Sequence, residues 1–95
     1  MEQRFVRNND TVWRRIEDEI VVISNDGMEV HVLNKTGAYI WELCDGTRDL
    51  EEIAACLCER FDVTLEEVRA DIQNIIAKLE KLNLVTQAVA VGANE

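Results

Sequence analysis

Three cysteines, a single histidine and two acidic pairs are the residues with enough chemistry to suggest a site. Cys44, Cys56, Cys58 and His31 have the donor atoms of a soft-metal centre. On a helix, however, Cys56 and Cys58 stand ~200° apart at ~100° per residue. They point to different faces and do not reach one ion in the tetrahedral geometry that zinc requires. An odd number of cysteines closes no disulfide framework and is ordinary in a reducing cytosol. Such residues pack as small hydrophobes. His31 lacks a nucleophile and an orienting acid and reads as a strand-face residue. Glu51-Glu52 and Glu66-Glu67 fall in first helical turns, where negative charge meets the positive end of the helix dipole. With no glycine-rich phosphate loop either, the reading is of a protein that is not an enzyme, with no catalytic residue, no metal ligand and no cofactor.

Charge and length narrow the remaining classes. The 95 residues, 47% of them hydrophobic, suffice for one modest core. Against 10 Lys and Arg stand 19 Asp and Glu, a formal charge of −9, which repels the phosphate backbone that dominates nucleic-acid affinity. The sign is uneven. Through Arg15 the chain is +2, from Arg4, Arg7, Arg14 and Arg15 against Glu2 and Asp10, and the remainder is −11. A basic arm on an acidic body is not a basic groove. No apolar run approaches the ~18 residues of a membrane span, and MEQRFVRNND is not a signal peptide. The expectation is a cytoplasmic protein bound to neither nucleic acid nor membrane. The sequons at Asn9 and Asn34 are then chance matches.

The elements that would position a site follow from periodicity. Thr11 to Ile16, Ile20 to Ile23 and Met28 to Leu33 read as strands, with Glu17-Asp18-Glu19 and Ser24-Asn25-Asp26-Gly27 as connections. In the third strand Met28, Val30 and Val32 share one face and Glu29, His31 and Leu33 the other, the alternation of a half-buried antiparallel strand. Asn34 caps a helix from about Lys35 to Cys44, whose apolar residues include Ala38, Ile40, Trp41 and Cys44. Asp49 with Glu52, and Thr64 with Glu67, are capping-box patterns that open two more helices. Ile53, Ala54, Leu57 and Phe61 line the second. Leu65, Val68, Ile72, Ile75, Leu79 and Leu82 form a stripe on the third, broadened by Ile76. The stripe lasts under three heptads and follows two other helices, so a packed core explains it better than a coiled-coil seam.

The predicted fold is α+β and winged-helix-like: an N-terminal three-stranded antiparallel β-meander followed by three α-helices. Residues 1–10 are expected as an N-terminal arm, 11–86 as one domain and 87–95 as a flexible tail. The alternative function of such a fold is a DNA-binding transcriptional regulator. Against it, Glu66, Glu67, Asp71 and Glu80 outnumber Arg69, Lys78 and Lys81 on the third helix, the natural recognition helix.

Leu33-Asn34-Lys35-Thr36-Gly37, Ile40-Trp41-Glu42-Leu43-Cys44-Asp45-Gly46-Thr47, Glu52-Ile53-Ala54 and Arg60-Phe61-Asp62-Val63 resemble the PqqD family. So do Val68 to Ile72 with Leu79, Leu82 and Leu84. The likeness covers about Val21 to Val85. Asn83 stands where a glycine is common in the closing turn, and Asn adopts the same left-handed cap. The resemblance implies a non-catalytic chaperone. It would bind the leader segment of a ribosomally synthesised precursor peptide and present it to a modifying enzyme, often a radical SAM protein, in pyrroloquinoline quinone (PQQ) biosynthesis or a related pathway.

The residues agree with that mode. The last strand of a meander has one open edge, and an extended peptide satisfies its N–H and C=O groups by adding a strand. Met28, Glu29, Val30, His31, Val32 and Leu33 form the expected template. The resemblance places a selectivity groove against the third helix, where Val68, Arg69, Ile72, Gln73 and Ile76 are expected to line it. Arg69 is the expected handle for an acidic leader residue. The same open edge permits a homodimer by strand exchange.

Overall fold

The structure is a computed structural model that describes residues 4–24 and 26–88. In chain order the elements are β1 (Arg4–Arg7), β2 (Val12–Ile16), β3 (Glu19–Ile23), β4 (Val30–Leu33), α1 (Lys35–Leu43), β5 (Asp45–Asp49), α2 (Leu50–Arg60), α3 (Leu65–Lys81) and β6 (Val85–Gln87). The α+β class and the order of an antiparallel meander followed by three helices are as expected.

The meander is the sheet β2-β3-β4. Its register aligns Val12, Ile23 and Val30; Trp13, Val22 and His31; Arg14, Val21 and Val32; and Arg15, Ile20 and Leu33. Successive side chains alternate between faces. One face therefore carries Ile20 and Val22, which are fully buried, and α1 packs against it. Two turns fix this register. Glu17 takes a left-handed φ of 57° between β2 and β3. Between β3 and β4 the Asp26 carboxylate accepts from the Ser24 hydroxyl at 2.6 Å and from the Met28 N–H at 2.9 Å.

Each helix begins where its capping chemistry stands. The Asn34 side chain accepts from the Gly37 N–H, and both capping boxes are closed, Asp49 with Glu52 and Thr64 with Glu67. The end of α3 is a Schellman turn: the Leu84 N–H donates to the Leu79 carbonyl and the Asn83 N–H to the Glu80 carbonyl, both at 2.9 Å. Asn83 sits at φ 62°, the left-handed cap foreseen for it. The turn brings Leu84 back beside Leu79, both buried. The common core takes Trp41 from α1, Ile53 and Leu57 from α2, and Val68, Ile72, Ile76 and Leu79 from α3. Among the described residues, no helix is long and apolar enough to cross a membrane.

A second antiparallel sheet, β5-β1-β6, corrects the expected arm and tail. Arg4–Arg7 form its central strand, with Phe5 buried, and Gln87 pairs with Phe5. The Ala88 N–H donates to the Arg4 carbonyl. Residues 1–3 of the expected arm, 89–95 of the expected tail and Asn25 of the expected turn lie outside the described residues. These strands are three to five residues long. RFVR, DGTRD and VTQ show no readable alternation; long-range backbone pairing makes them strands. The β1–β5 ladder is itself irregular between Arg4 and Val6.

Two expectations test these devices. Replacing Asn83 by Val puts a β-branched residue at left-handed φ and should cost about 1–2 kcal/mol in urea unfolding, whereas Gly should be neutral or stabilising. The Ser24 hydroxyl bond, and then the Met28 amide, hold the Asp26 carboxyl below its usual range. A depressed folded pKa means that its contribution is full above the ordinary value of ~4 and is lost as pH falls through the lowered one. The amide shifts of Ser24 and Met28 should therefore titrate below pH ~4. In Asp26→Asn that titration should vanish.

Candidate functional site

In β2-β3-β4 the strand β4 lies at the edge, so its free side is open for pairing. Which groups are open follows from one hydrogen bond. The Ser24 N–H donates to the Glu29 carbonyl at 3.0 Å, so Glu29 directs its backbone polar groups toward β3. Along an antiparallel strand this direction alternates by residue. His31 and Leu33 therefore also bond inward, while the N–H and C=O of Val30 and Val32 point away from the sheet. These are the hydrogen-bonding groups of the edge.

Beside that edge runs an open groove of about 390 Å³, between β4 and the C-terminal half of α3. Val30, His31, Val32 and Leu33 form its strand wall, and Ile75, Lys78, Leu79 and Leu82 its helix wall, with Leu84 and the start of α1 also lining it. The helix residues recur at steps of three and four, so they share one face of α3. Leu33, Ile75 and Leu82 are only partly buried against the core and present apolar surface to the groove. Lys78 is exposed and supplies a positive charge there. His31 Nε2 lies 3.2 Å from the Glu29 carboxylate, at the strand side of the same groove.

The expected strand residues are thus together, with two adjustments. The strand begins at Val30, and Met28 and Glu29 precede it as part of the hairpin. The face shared by Met28, Val30 and Val32 is the exposed one, each being more than 60% exposed. It is His31 and Leu33 that turn toward the groove side.

The expected helix residues do not line this groove. Val68, Ile72 and Ile76 are core residues, each at most 3% exposed. Arg69 pairs with Glu51 of α2 at 2.8 Å, which also holds its guanidinium protonated. With Gln73 and Ile72 it borders a small depression of about 50 Å³ between α2 and α3. The physical reason is azimuth. Ile75 and Ile76 are one residue, or ~100°, apart on the helix, and the packing of α2 against α3 turned the Ile76 side inward. The signal that could have found the groove was in the stripe: Ile75 and Leu82 continue it on the side away from Ile76. Lys78 between them is a cation on the helix wall of the groove, whereas Arg69 is paired with Glu51.

The other chemical candidates stand apart from the groove. Cys44 is fully buried, and burial pushes its thiol up to about 12, so it is inert at neutral pH. Cys56 and Cys58 are half-buried on α2. Among the described residues, no three His, Cys, Asp or Glu side chains are grouped to hold a metal.

The family described as Coenzyme PQQ synthesis protein D (PqqD) matches residues 19–85. A PqqA binding protein of Klebsiella pneumoniae (strain 342) is 40% identical over 57 residues, 60% of this chain and 60% of that protein. The match thus spans less than two thirds of the length of that curated relative. Among solved structures, TbiB1 in complex with the TbiA(beta) leader peptide superposes with a TM-score of 0.79 at 22% identity, covering 90% of this chain and 99% of that one. Lasso peptide synthetase B1 complexed with the leader peptide gives 0.77 at 17% identity, with 87% and 98% covered. At these identities the likeness is one of fold. The matched segment 19–85 runs from β3 to the start of β6 and takes in the edge strand, all three helices and the groove between β4 and α3. On that match, the chain belongs to the PqqD family.

Proposed function

We propose that this chain is a non-catalytic recognition element. It binds the leader segment of a ribosomally synthesised precursor peptide as an added strand on β4 and presents it to a modifying enzyme. The observation that carries this reading is the outward-facing backbone of Val30 and Val32 beside an apolar groove. The family, the PqqA binding protein among the relatives and the two leader-peptide complexes among the structural neighbours support it.

This reading divides the labour between strand and helix. An extended peptide bonds to both N–H and both C=O groups of Val30 and Val32, which any sequence can do. The peptide residue opposite His31 sits between those two bonded positions and sends its side chain to the groove side, toward Leu33, Ile75, Leu79 and Leu82. An apolar side chain belongs there. Lys78 favours a carboxylate near that anchor. Selectivity thus comes from the helix wall and adhesion from the strand. Holding the leader raises the effective concentration of the attached core peptide at the enzyme. That enzyme is a radical SAM protein or another peptide-modifying enzyme, and the assembly works in the cytoplasm.

The test is fluorescence anisotropy with a labelled leader peptide from the precursor encoded beside this chain. Val32→Pro deletes one outward N–H, on an edge where proline is tolerated, and leaves the β3–β4 bonds in place. It should weaken binding about tenfold, the value of one hydrogen bond of ~1–1.5 kcal/mol. Lys78→Glu should weaken a leader carrying an acidic residue at the anchor, and Arg69→Glu should not. Equal affinity of wild type and Val32→Pro would sink strand addition. Salt-dependent binding of duplex DNA without any peptide binding would favour the regulator instead.

A further inference from the structure

The face of β2-β3-β4 opposite the core is apolar. By register it carries Val12, Ile23 and Val30 in one row, Arg14, Val21 and Val32 in the next, and Ile16 with Glu19 at the end. Val12, Ile16 and Val32 are 66%, 53% and 61% exposed. The solvent side of an antiparallel sheet is ordinarily polar. Here valines and isoleucines surround one arginine, and a shallow hollow of about 230 Å³ lies over β2 and β3. Arg14 has no ion pair or hydrogen bond among the described residues. Its neighbour Arg15, on the core side, is bound to Glu42 of α1.

Charge selects the occupant. A second copy is opposed by the −9 charge of each chain, and a two-fold pairing of this face would bring one Arg14 toward the other. A peptide strand on β4 extends the face. Its residues opposite Val30 and Val32 direct their side chains to this same face and widen it by a fourth strand.

We propose that the modifying enzyme docks on this outer face, across β2, β3, β4 and the bound peptide strand, through an apolar patch with a carboxylate aimed at Arg14. This rests on the peptide reading above. The groove-side residues of the leader are read by this chain, and the outward-facing ones complete the surface that the enzyme reads. The enzyme therefore binds the loaded form more tightly than the empty one. By linkage, it tightens the leader by the same factor.

The experiment uses the full chain with the precursor peptide and the peptide-modifying enzyme encoded in the same gene cluster. Val12→Glu, Ile16→Glu and Arg14→Glu all lie on β2, two strands or ~10 Å from the edge. Leader affinity, by anisotropy, should stay within about twofold of wild type. Enzyme affinity of the loaded protein, by biolayer interferometry, should fall at least tenfold, while in wild type the leader should strengthen it. Enzyme binding that ignores all three variants, with leader bound, overturns the docking face and leaves the peptide reading standing. So does a wild-type dimer in light scattering that Val12→Glu splits while enzyme binding persists. Failure of wild type to bind the leader removes the peptide reading, and the docking face with it.

Discussion

The joint on which the rest of the structure depends is made by Arg7, Trp13 and Trp41. Arg7 belongs to the sheet β5-β1-β6, Trp13 to the meander and Trp41 to α1. The Arg7 guanidinium donates to the carbonyls of Trp41 and Glu42, both at 2.9 Å. These belong to the last turn of α1, where the Trp41 carbonyl also accepts from the Cys44 N–H at 3.2 Å and a cation complements the dipole. The same guanidinium lies 5.4 Å over the Trp13 ring. Trp13 meets the fully buried Trp41 nearly edge to face, with centroids 6.0 Å apart. One cation thus closes a helix end and ties two sheets to it, through charge-assisted bonds worth about 1.5–3 kcal/mol each. Arg15 with Glu42 adds a second tie between β2 and α1.

Once α1 is fixed in this way, the asymmetry of the meander follows. The helix covers the face bearing Ile20 and Val22 and leaves the other uncovered. β3 is paired on both sides, whereas β4 is paired on one, and α3 stands off from it by the width of a groove rather than packing onto it. Open edges and apolar outer faces are what soluble proteins ordinarily suppress. Both occur here on the same strand. They serve the same purpose if the edge takes a peptide and the face takes the enzyme that acts on it.

The division of α3 carries the same economy. Its apolar stripe serves two clients: Val68, Ile72, Ile76 and Leu79 hold the core, while Ile75 and Leu82 reach the groove. Leu79 and Leu84 belong to both. The Schellman turn at Asn83 therefore sets the end of the groove as well as the end of the helix. The groove is thus walled by a helix and a strand that the core itself holds in place.

Much of this was legible in the residues. The caps at Asn34, Asp49 and Thr64, the left-handed Asn83, the meander and its open third strand are local chemistry, and local chemistry is written in neighbouring side chains. So is the family, through the run from Leu33 to Thr47. The second sheet was not legible, because Arg4–Arg7, Asp45–Asp49 and Val85–Gln87 become strands only by pairing across more than 35 residues of chain. Nor was the helix wall of the groove. An amphipathic stripe fixes that α3 packs, but a rotation of one residue decides whether Ile75 or Ile76 faces inward, and that is settled by α2, α1 and both sheets together. The sequence by itself determined the meander that leaves β4 at an edge and where each helix starts. Only the tertiary structure decided which side chains stand opposite that strand, since helix azimuth is a property of the whole core and not of the helix.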